Sequence, residues 1–568
     1  MPTHTPVEKV QPIVREVTSR NKDFVPPSVA INGKKFSYRR PAATAGPTEE
    51  NAHLKYTPGK WDVWMLGITI VIGGQYFSWN AGLSAGLYSY MICFFLISTA
   101  YVTLCCCTSE ITGALPFAGG AYGLARCTLG FYPAFIIGCC EALEYVAYVS
   151  TSVISLADMI VNIDPHAESL RPVIWAAFYI SALYFHIKGD RVFWIFNLVI
   201  GAISILIVLL FSFGSLRYVD YNTNAVDPTL VFVDGFHGFM KALPLPCWFF
   251  VGVEALNLAS DQVAMPKQNV PFAQIACVTT LLISAVAVFF VTISLPPGIA
   301  ALPTELVPLN NGFEPMFNIS HQNATILSLP ATYATAFGFI WCYGKLIAAM
   351  ATSRLLPVFL SRVSAGTGTP YMAIAFGSAL SYLICLVVYF VPSVSEYLFN
   401  ICITAAFMSY TGQCVGYISL KLNYRNIKSS YFHNPFGVFG ALYSMCVWIL
   451  CLLSIIAYQG NGGREIAIFA IVVAVLSIYY YSWARRRQTF SAAENRILLV
   501  AHVMKFNGRR TAAGRKGGSG QGSSKNKSTH HGQNSRFTNA ESTHMPTDTK
   551  TTKTTGTANK RTGKSSGI

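Results

Sequence analysis

The sequence predicts an all-α polytopic membrane protein with twelve transmembrane helices, and three observations carry that prediction. Hydrophobic residues make up 52% of the 568 residues and charged residues only 12%, where a soluble domain carries roughly 25% charge. The apolar residues come in blocks, such as Leu87 to Cys107 and Ile195 to Phe213, each close to the ~20 residues that cross a bilayer core as a helix. The positive charge is also segregated. Of 41 Lys and Arg, ten lie up to Lys60 and seventeen after Trp483, so the net charge of +16 belongs to the tails and does not form a nucleic-acid-binding face.

Taken in order, residues 1–60 are polar and basic, without the apolar core of a signal peptide, and are expected to stay attached as a cytoplasmic tail. A transporter-sized domain, 61–484, follows. Its apolar blocks fall at about 61–83, 86–108, 130–160, 172–187, 192–214 and 238–260, then at about 271–295, 330–353, 371–391, 395–420, 436–458 and 465–484. With the N-terminus inside, nine Lys and Arg fall in inside loops against three in outside loops, Arg171, Arg217 and Arg464, and positive loops stay cytoplasmic. The outside loop between Pro296 and Ser328 has no Lys or Arg but carries sequons at Asn318 and Asn323, which predicts glycosylation there. Residues 485–506 begin with Arg485, Arg486 and Arg487 and place apolar residues mainly along one helical face, as an amphipathic helix on an anionic leaflet does. Residues 507–568 are rich in Gly, Ser, Thr and Lys and are expected to be disordered.

The fifteen cysteines lie between Cys93 and Cys451, almost all inside apolar blocks. They read as packing residues rather than a disulfide framework or a metal site, since adjacent positions such as Cys105, Cys106 and Cys107 point in different directions on a helix. No metal or cofactor is expected. No nucleophile elbow, zinc motif or phosphate loop is present to support an enzyme.

Two spans break the habit of lipid-crossing helices, which avoid freeing backbone groups that hydrocarbon cannot satisfy. The first reads Ile72-Gly73-Gly74-Gln75-Tyr76 near its middle. The sixth has Pro244 and Pro246 on entry, then Trp248, Gly252 and Glu254 at depth. Interruptions in corresponding places of two halves mark a secondary-transporter binding site, whereas glycines alone also serve close helix packing.

The stretch FVGVEALNLASDQVAMPKQNVPFA from Phe250 resembles the signature of the amino acid, polyamine and organocation permeases. EITGALPFAGGAYGLARCTLGFYPAFIIG from Glu110 and GKLIAAMATSRLLPVFLSRV from Gly344 add to the match. IVIGGQYFSWNAGL from Ile70 and the Glu-rich third span are most similar to the ethanolamine permease branch. The resemblance covers about residues 58–490. It implies a leucine-transporter-type fold of two five-helix inverted repeats plus two helices, with alternating access around a site between spans 1, 3, 6 and 8. It also implies that Ile72, Gly73, Gly74, Gln75 and Tyr76 form the unwound part of helix 1. Trp248 takes the place of an aromatic gate, and Gly252 and Glu254 supply the Gly-x-Glu. Where amino acid permeases usually have Gly-Ser-Gly, this chain has Gly73-Gly74-Gln75. A bulky amide is therefore expected where backbone N–H groups would hold a substrate carboxylate.

Ionisable residues at membrane depth cost at least ~2.5 kcal/mol and call for a partner or a function. Glu141 and Glu144 share a face of span 3, Glu254 sits at the break of span 6, and Lys345 is placed near the middle of span 8. Glu144 is the expected partner of a substrate ammonium, with a Glu144–Lys345 pair as the competing arrangement. Glu141 and Lys345 are the candidates for ion coupling, Glu141 alternatively a structural partner, Lys345 a counter-ion and Glu254 a cap. The expected function is secondary transport of amino acids or small amines such as ethanolamine, by proton coupling or exchange, with sodium the rival ion. The protein is expected in the plasma membrane with both termini cytoplasmic. A nutrient sensor that keeps a transporter fold is the competing class.

Overall fold

A computed structural model of the chain describes residues 56–491 apart from 118, 424–428 and 461, together with residues 30, 31, 34, 35, 494, 495 and 499. The expected tail 507–568 lies outside the described residues, as does most of 485–506. Apart from the two-residue strands Ala30–Ile31 and Lys34–Lys35, the ordered elements among the described residues are helices and short 3-10 or π turns. Eleven segments are long and apolar enough to cross a membrane. The twelfth expected span falls short because it is interrupted: α1, Lys60–Val71, has only 12 residues before a 3-10 turn at Ile72–Gln75.

The remaining helices are α2 (Leu87–Ala114), α3 (Phe131–Ile163), α4 (Arg171–Lys188) and α5 (Asp190–Gly214). The sixth span opens with α6 (Gly235–Ala242), and α7 (Pro266–Ile293), α8 (Leu329–Thr352) and α9 (Tyr371–Phe390) follow it. Last come α10 (Ser395–Asn423), α11 (Gly437–Ala457) and α12 (Arg464–Tyr479). A short helix, Gly120–Thr128, links α2 to α3.

α1 starts cleanly because the Asp62 carboxylate, in its first turn, accepts from the Gly59 N–H at 2.8 Å, which satisfies an orphan donor and complements the helix dipole. The sixth span breaks for two reasons. Pro244 and Pro246 cannot donate to a helical ladder, so α6 gives way to a 3-10 turn at Leu245–Phe249. Gly252 then takes φ +94, from where the chain resumes as the turn Val253–Asp261. A Cβ on Gly252 would lie 2.5 Å from the Phe339 ring and 2.7 Å from Ile70 Cγ2, so both its dihedral and its space demand glycine.

Helix packing in a bilayer gains from close backbone approach at small residues, and α8 crosses α1 in that manner. A Cβ on Gly338 would sit 2.7 Å from Ile70 Cα. The sixth span lies at the centre of the bundle, with 94% of its apolar window buried, whereas the corresponding figure for the last span is 11%, so α12 presents most of its surface to lipid. At the end of the bundle beyond the first break, Asn80 Nδ2 donates to the Leu302 and Glu305 carbonyls at 2.6 and 2.8 Å, tying the loop after α7 to the chain after α1.

After the last span the helix ends at Arg487. Gln488–Ser491 is not helical, and Glu494 is buried against the bundle. Within the described part of the segment expected to lie on the leaflet, Glu494 packs on protein while Arg485, Arg486, Arg487 and Leu499 are exposed.

Gly338→Ala should lower stability by about 1–3 kcal/mol through overpacking against backbone, read as a drop in the thermal unfolding midpoint of the detergent-solubilised protein. Gly366→Ala, with open space around the new methyl, should leave the midpoint unchanged. Equal midpoints for both variants would mean that the α1–α8 crossing is looser than described.

Candidate functional site

The two breaks meet backbone to backbone. A Cβ placed on Gly74 would lie 1.8 Å from the Trp248 carbonyl oxygen, so the 3-10 turn of the first span rests directly on that of the sixth. A 3-10 turn has three residues per turn, which sends consecutive residues toward three different neighbours. The Gly73 N–H donates to Thr335 Oγ1 of α8 at 2.7 Å, Gly74 faces Trp248, and Gln75 turns to α7, where Nε2 donates to the Leu281 carbonyl at 3.1 Å. Gln75 therefore does not stand in the backbone cradle, which corrects the expectation that its amide obstructs it. Tyr76 likewise points away, donating to the Ser204 carbonyl of α5 at 2.6 Å, and Ile72 is fully buried.

Aromatic rings cover this meeting point. Trp248 is stacked on Phe399, with centroids 4.8 Å apart and planes within 10°. It also packs against Tyr148 at 5.1 Å and Phe77 at 5.4 Å. The Tyr148 hydroxyl is buried without a hydrogen-bond partner.

The three acids Glu141, Glu144 and Glu254 are all fully buried. Glu141 and Glu144, three residues apart, leave one face of α3 together. Tyr145 bridges two of them, its hydroxyl 3.0 Å from Glu141 Oε1 and 3.4 Å from Glu254 Oε1. Glu254 Oε2 accepts from the Gly252 N–H at 3.1 Å. Glu144 Oε1 accepts from the Tyr410 hydroxyl at 2.6 Å. Among the described residues the groups that face these carboxylates are tyrosine hydroxyls and backbone amides, those of Ala121 and Tyr122 toward Glu141 included, not basic side chains. Glu144 Oε2 has no donor among them.

Lys345 is elsewhere. It lies in the last third of α8 and its Nζ is 2.7 Å from Asp261 Oδ2, at the end of the sixth span. The Glu144–Lys345 pair is thus overturned, because Lys345 finds its acid in Asp261 while Glu144 is met by the Tyr410 hydroxyl. The Asp261–Lys345 pair separates two cavities of about 210 and 330 Å³. The first also touches Tyr56 and Asp190, from the chain preceding α1 and the start of α5. Burial, then the neighbouring Asp62 carboxylate, pushes the Tyr56 hydroxyl up to about 12, so it donates to Asp62 at 2.8 Å throughout the ordinary pH range.

Tyr145 was within reach of sequence reasoning, since it lies four residues after Glu141 on the same helical face. Tyr410, Thr335, Phe399 and Asp261 were not, because nothing local in the sequence joins them to their partners. Two further ion pairs went unanticipated, the half-buried Glu110–Lys421 at 2.6 Å and the buried Arg126–Glu494 at 3.4 Å.

The family model described as "Amino acid permease" matches residues 63–495, a span that takes in both breaks, all three acids and Lys345. The chain belongs to the amino acid permease family. An uncharacterized transporter of Rhizobium meliloti is 25% identical over 79% of this chain and 97% of its own. The methylthioribose transporter of Bacillus subtilis is 24% identical over 79% and 97%, and the branched-chain amino acid permease BcaP of the same organism 26% over 60% and 76%. This permease is therefore a multi-pass membrane transporter, not an enzyme, and its family carries small molecules across the bilayer.

Trp248→Leu should weaken substrate binding severalfold and Trp248→Phe less, since an aromatic face over an ammonium contributes about 0.5–2 kcal/mol. Equal and negligible effects of the two in a binding assay would remove the indole from the site. Gly74→Ala should abolish transport, because the carbonyl it meets belongs to backbone and cannot rotate aside.

Proposed function

We propose that this permease carries a small organic cation, a neutral amino acid or an amine such as ethanolamine, by alternating access coupled to protons. The observation that carries the reading is three fully buried carboxylates beside the two helix breaks, without a basic partner among the described residues and with Glu144 Oε2 lacking a donor there. An uncompensated buried charge is strongly destabilising. The cluster therefore reaches balance either by holding protons or by receiving a cation from outside, and a cycle that alternates the two is proton-coupled transport. Glu144, on α3, is the proposed ammonium ligand; Glu141 and Glu254, linked through Tyr145, are the proposed proton carriers. The backbone at Gly73 and Gly74, free of the Gln75 side chain, is available to a carboxylate once the Trp248 carbonyl moves off it. Amino acids thereby stand beside amines as substrates.

Glu144→Gln keeps a carbonyl oxygen for Tyr410 and removes only the charge, so the variant should fold while amine binding falls about a hundredfold, as expected for breaking a desolvated ion pair. Adding Lys345→Met should restore nothing, since Lys345 serves Asp261. In proteoliposomes, an inward proton gradient should drive accumulation of labelled ethanolamine or alanine, each competing with the other. Accumulation driven by sodium alone would replace the coupling ion, and binding without accumulation would make the protein a sensor.

The same reading places both termini in the cytoplasm of a plasma-membrane protein, on the charge asymmetry of the loops. Asn318 and Asn323 are exposed in the loop that faces outward in that orientation. Asn318→Gln and Asn323→Gln should each increase electrophoretic mobility, and the double variant should no longer respond to a glycosidase. A tag after Ile568 labelled by an impermeant reagent on intact cells would reverse the topology.

A further inference from the structure

We propose that the chain just after the last span is a strap that holds the cytoplasmic exit shut, locked by Glu494 on Arg126, and that it must lift for substrate to leave. The proposal rests on the transporter reading and on the orientation just given.

The strap is a local structure before it is a contact. Ser491 and Glu494 form a capping box: the Glu494 N–H meets Ser491 Oγ at 3.1 Å, and the Ser491 N–H meets Glu494 Oε2 at 2.7 Å, the reciprocal pattern that starts a helix. The same carboxylate also accepts from the Tyr122 hydroxyl at 2.9 Å and the Ser353 hydroxyl at 2.9 Å, and lies 3.4 Å from Arg126 Nε. One acid thus joins the turn, the short helix Gly120–Thr128 and the residue that follows α8. Two backbone contacts fix the approach: Arg126 Nη2 donates to the Thr489 carbonyl at 2.8 Å, and the Thr489 N–H to the Ser353 carbonyl at 3.0 Å.

Arg126 is the keystone of this arrangement. Its side chain is 1% exposed, and its guanidinium lies over the adjoining Phe131 and Phe490 rings, 4.8 and 4.9 Å from their centroids, which are themselves 5.3 Å apart. A desolvated cation against two aromatic rings is well held, yet its burial depends on Phe490 and Glu494, both from the strap. Removing the strap exposes the charge to water, which it tolerates. The contact is therefore suited to open and close in a way that an apolar core is not.

What it covers is the larger of the two cavities. Ser491 and Glu494 bound it on one side, and Asp261 and Lys345, the pair joining the sixth span to α8, on the other. The short helix that carries Arg126 also packs on the sixth span, where Gly120 lies against Asn257 and Leu258. An outward swing of Val253–Asp261 would push against the segment that the strap clamps.

The decisive experiment is a disulfide in the full-length protein. With Thr489 bonded to Ser353 through backbone, Ser353→Cys with Thr489→Cys places two thiols within bridging range. Oxidation should reduce uptake about tenfold or more in the double variant and in neither single variant, and a thiol reductant should restore it. Undiminished uptake with the bridge complete overturns the proposal while leaving the transporter reading intact, because the reduced protein still transports. Glu494→Gln should raise turnover about threefold at equal surface amount. A well-folded Glu494→Gln protein with unchanged or slower turnover also overturns it, and if that variant folds poorly, Phe490→Leu supplies the same comparison.

Discussion

Lipid offers no hydrogen bonds, and most of this structure follows from how the two interrupted spans answer that constraint. The turn at Ile72–Gln75 and the breaks on either side of Gly252 free backbone groups in the middle of the bundle, where an unsatisfied group costs several kcal/mol. Two of them are met by side chains from within: Thr335 accepts from Gly73, and Glu254 accepts from Gly252. Protein must surround the breaks for this to work. The sixth span is accordingly the most enclosed segment, while helices such as α12 are left to face the hydrocarbon.

The same enclosure explains why acids tolerate this location. Among the described residues Glu141, Glu144 and Glu254 have no direct basic partner, but tyrosines reach them from α3 and α10. A hydroxyl suits this role because it donates to a carboxylate and remains neutral when the acid takes a proton. The ion pairs Asp261–Lys345, Glu110–Lys421 and Arg126–Glu494 lie toward helix ends and connecting segments, where they hold one element to another.

Much of the fold was legible in the sequence because the bilayer imposes a one-dimensional signal. Runs of about twenty apolar residues, the glycine pair at Gly73 and Gly74 and the prolines at Pro244 and Pro246 all declare themselves locally. The direction of side chains did not. Gln75 was misread because the step from an α-helix to a 3-10 turn rotates each successive residue by a different angle, and nothing in the sequence states where that change begins. Lys345 was misread for a different reason. Depth along α8 depends on where the helix starts, and its acid at Asp261 comes from a break whose length the sequence leaves open. The docking of Phe490 and Glu494 on the bundle was hidden because an aromatic residue after a run of arginines also suits a leaflet surface.

The contact between Gly74 and the Trp248 carbonyl has a consequence for how such a protein can diverge. One partner has no side chain and the other contributes only main chain, so any residue at position 248 presents the same oxygen. The joint between the two broken spans is therefore indifferent to the chemistry of the ring above it. Rings and acids around the joint can be exchanged while the joint keeps its shape, which separates inheritance of the fold's centre from inheritance of the groups that line it.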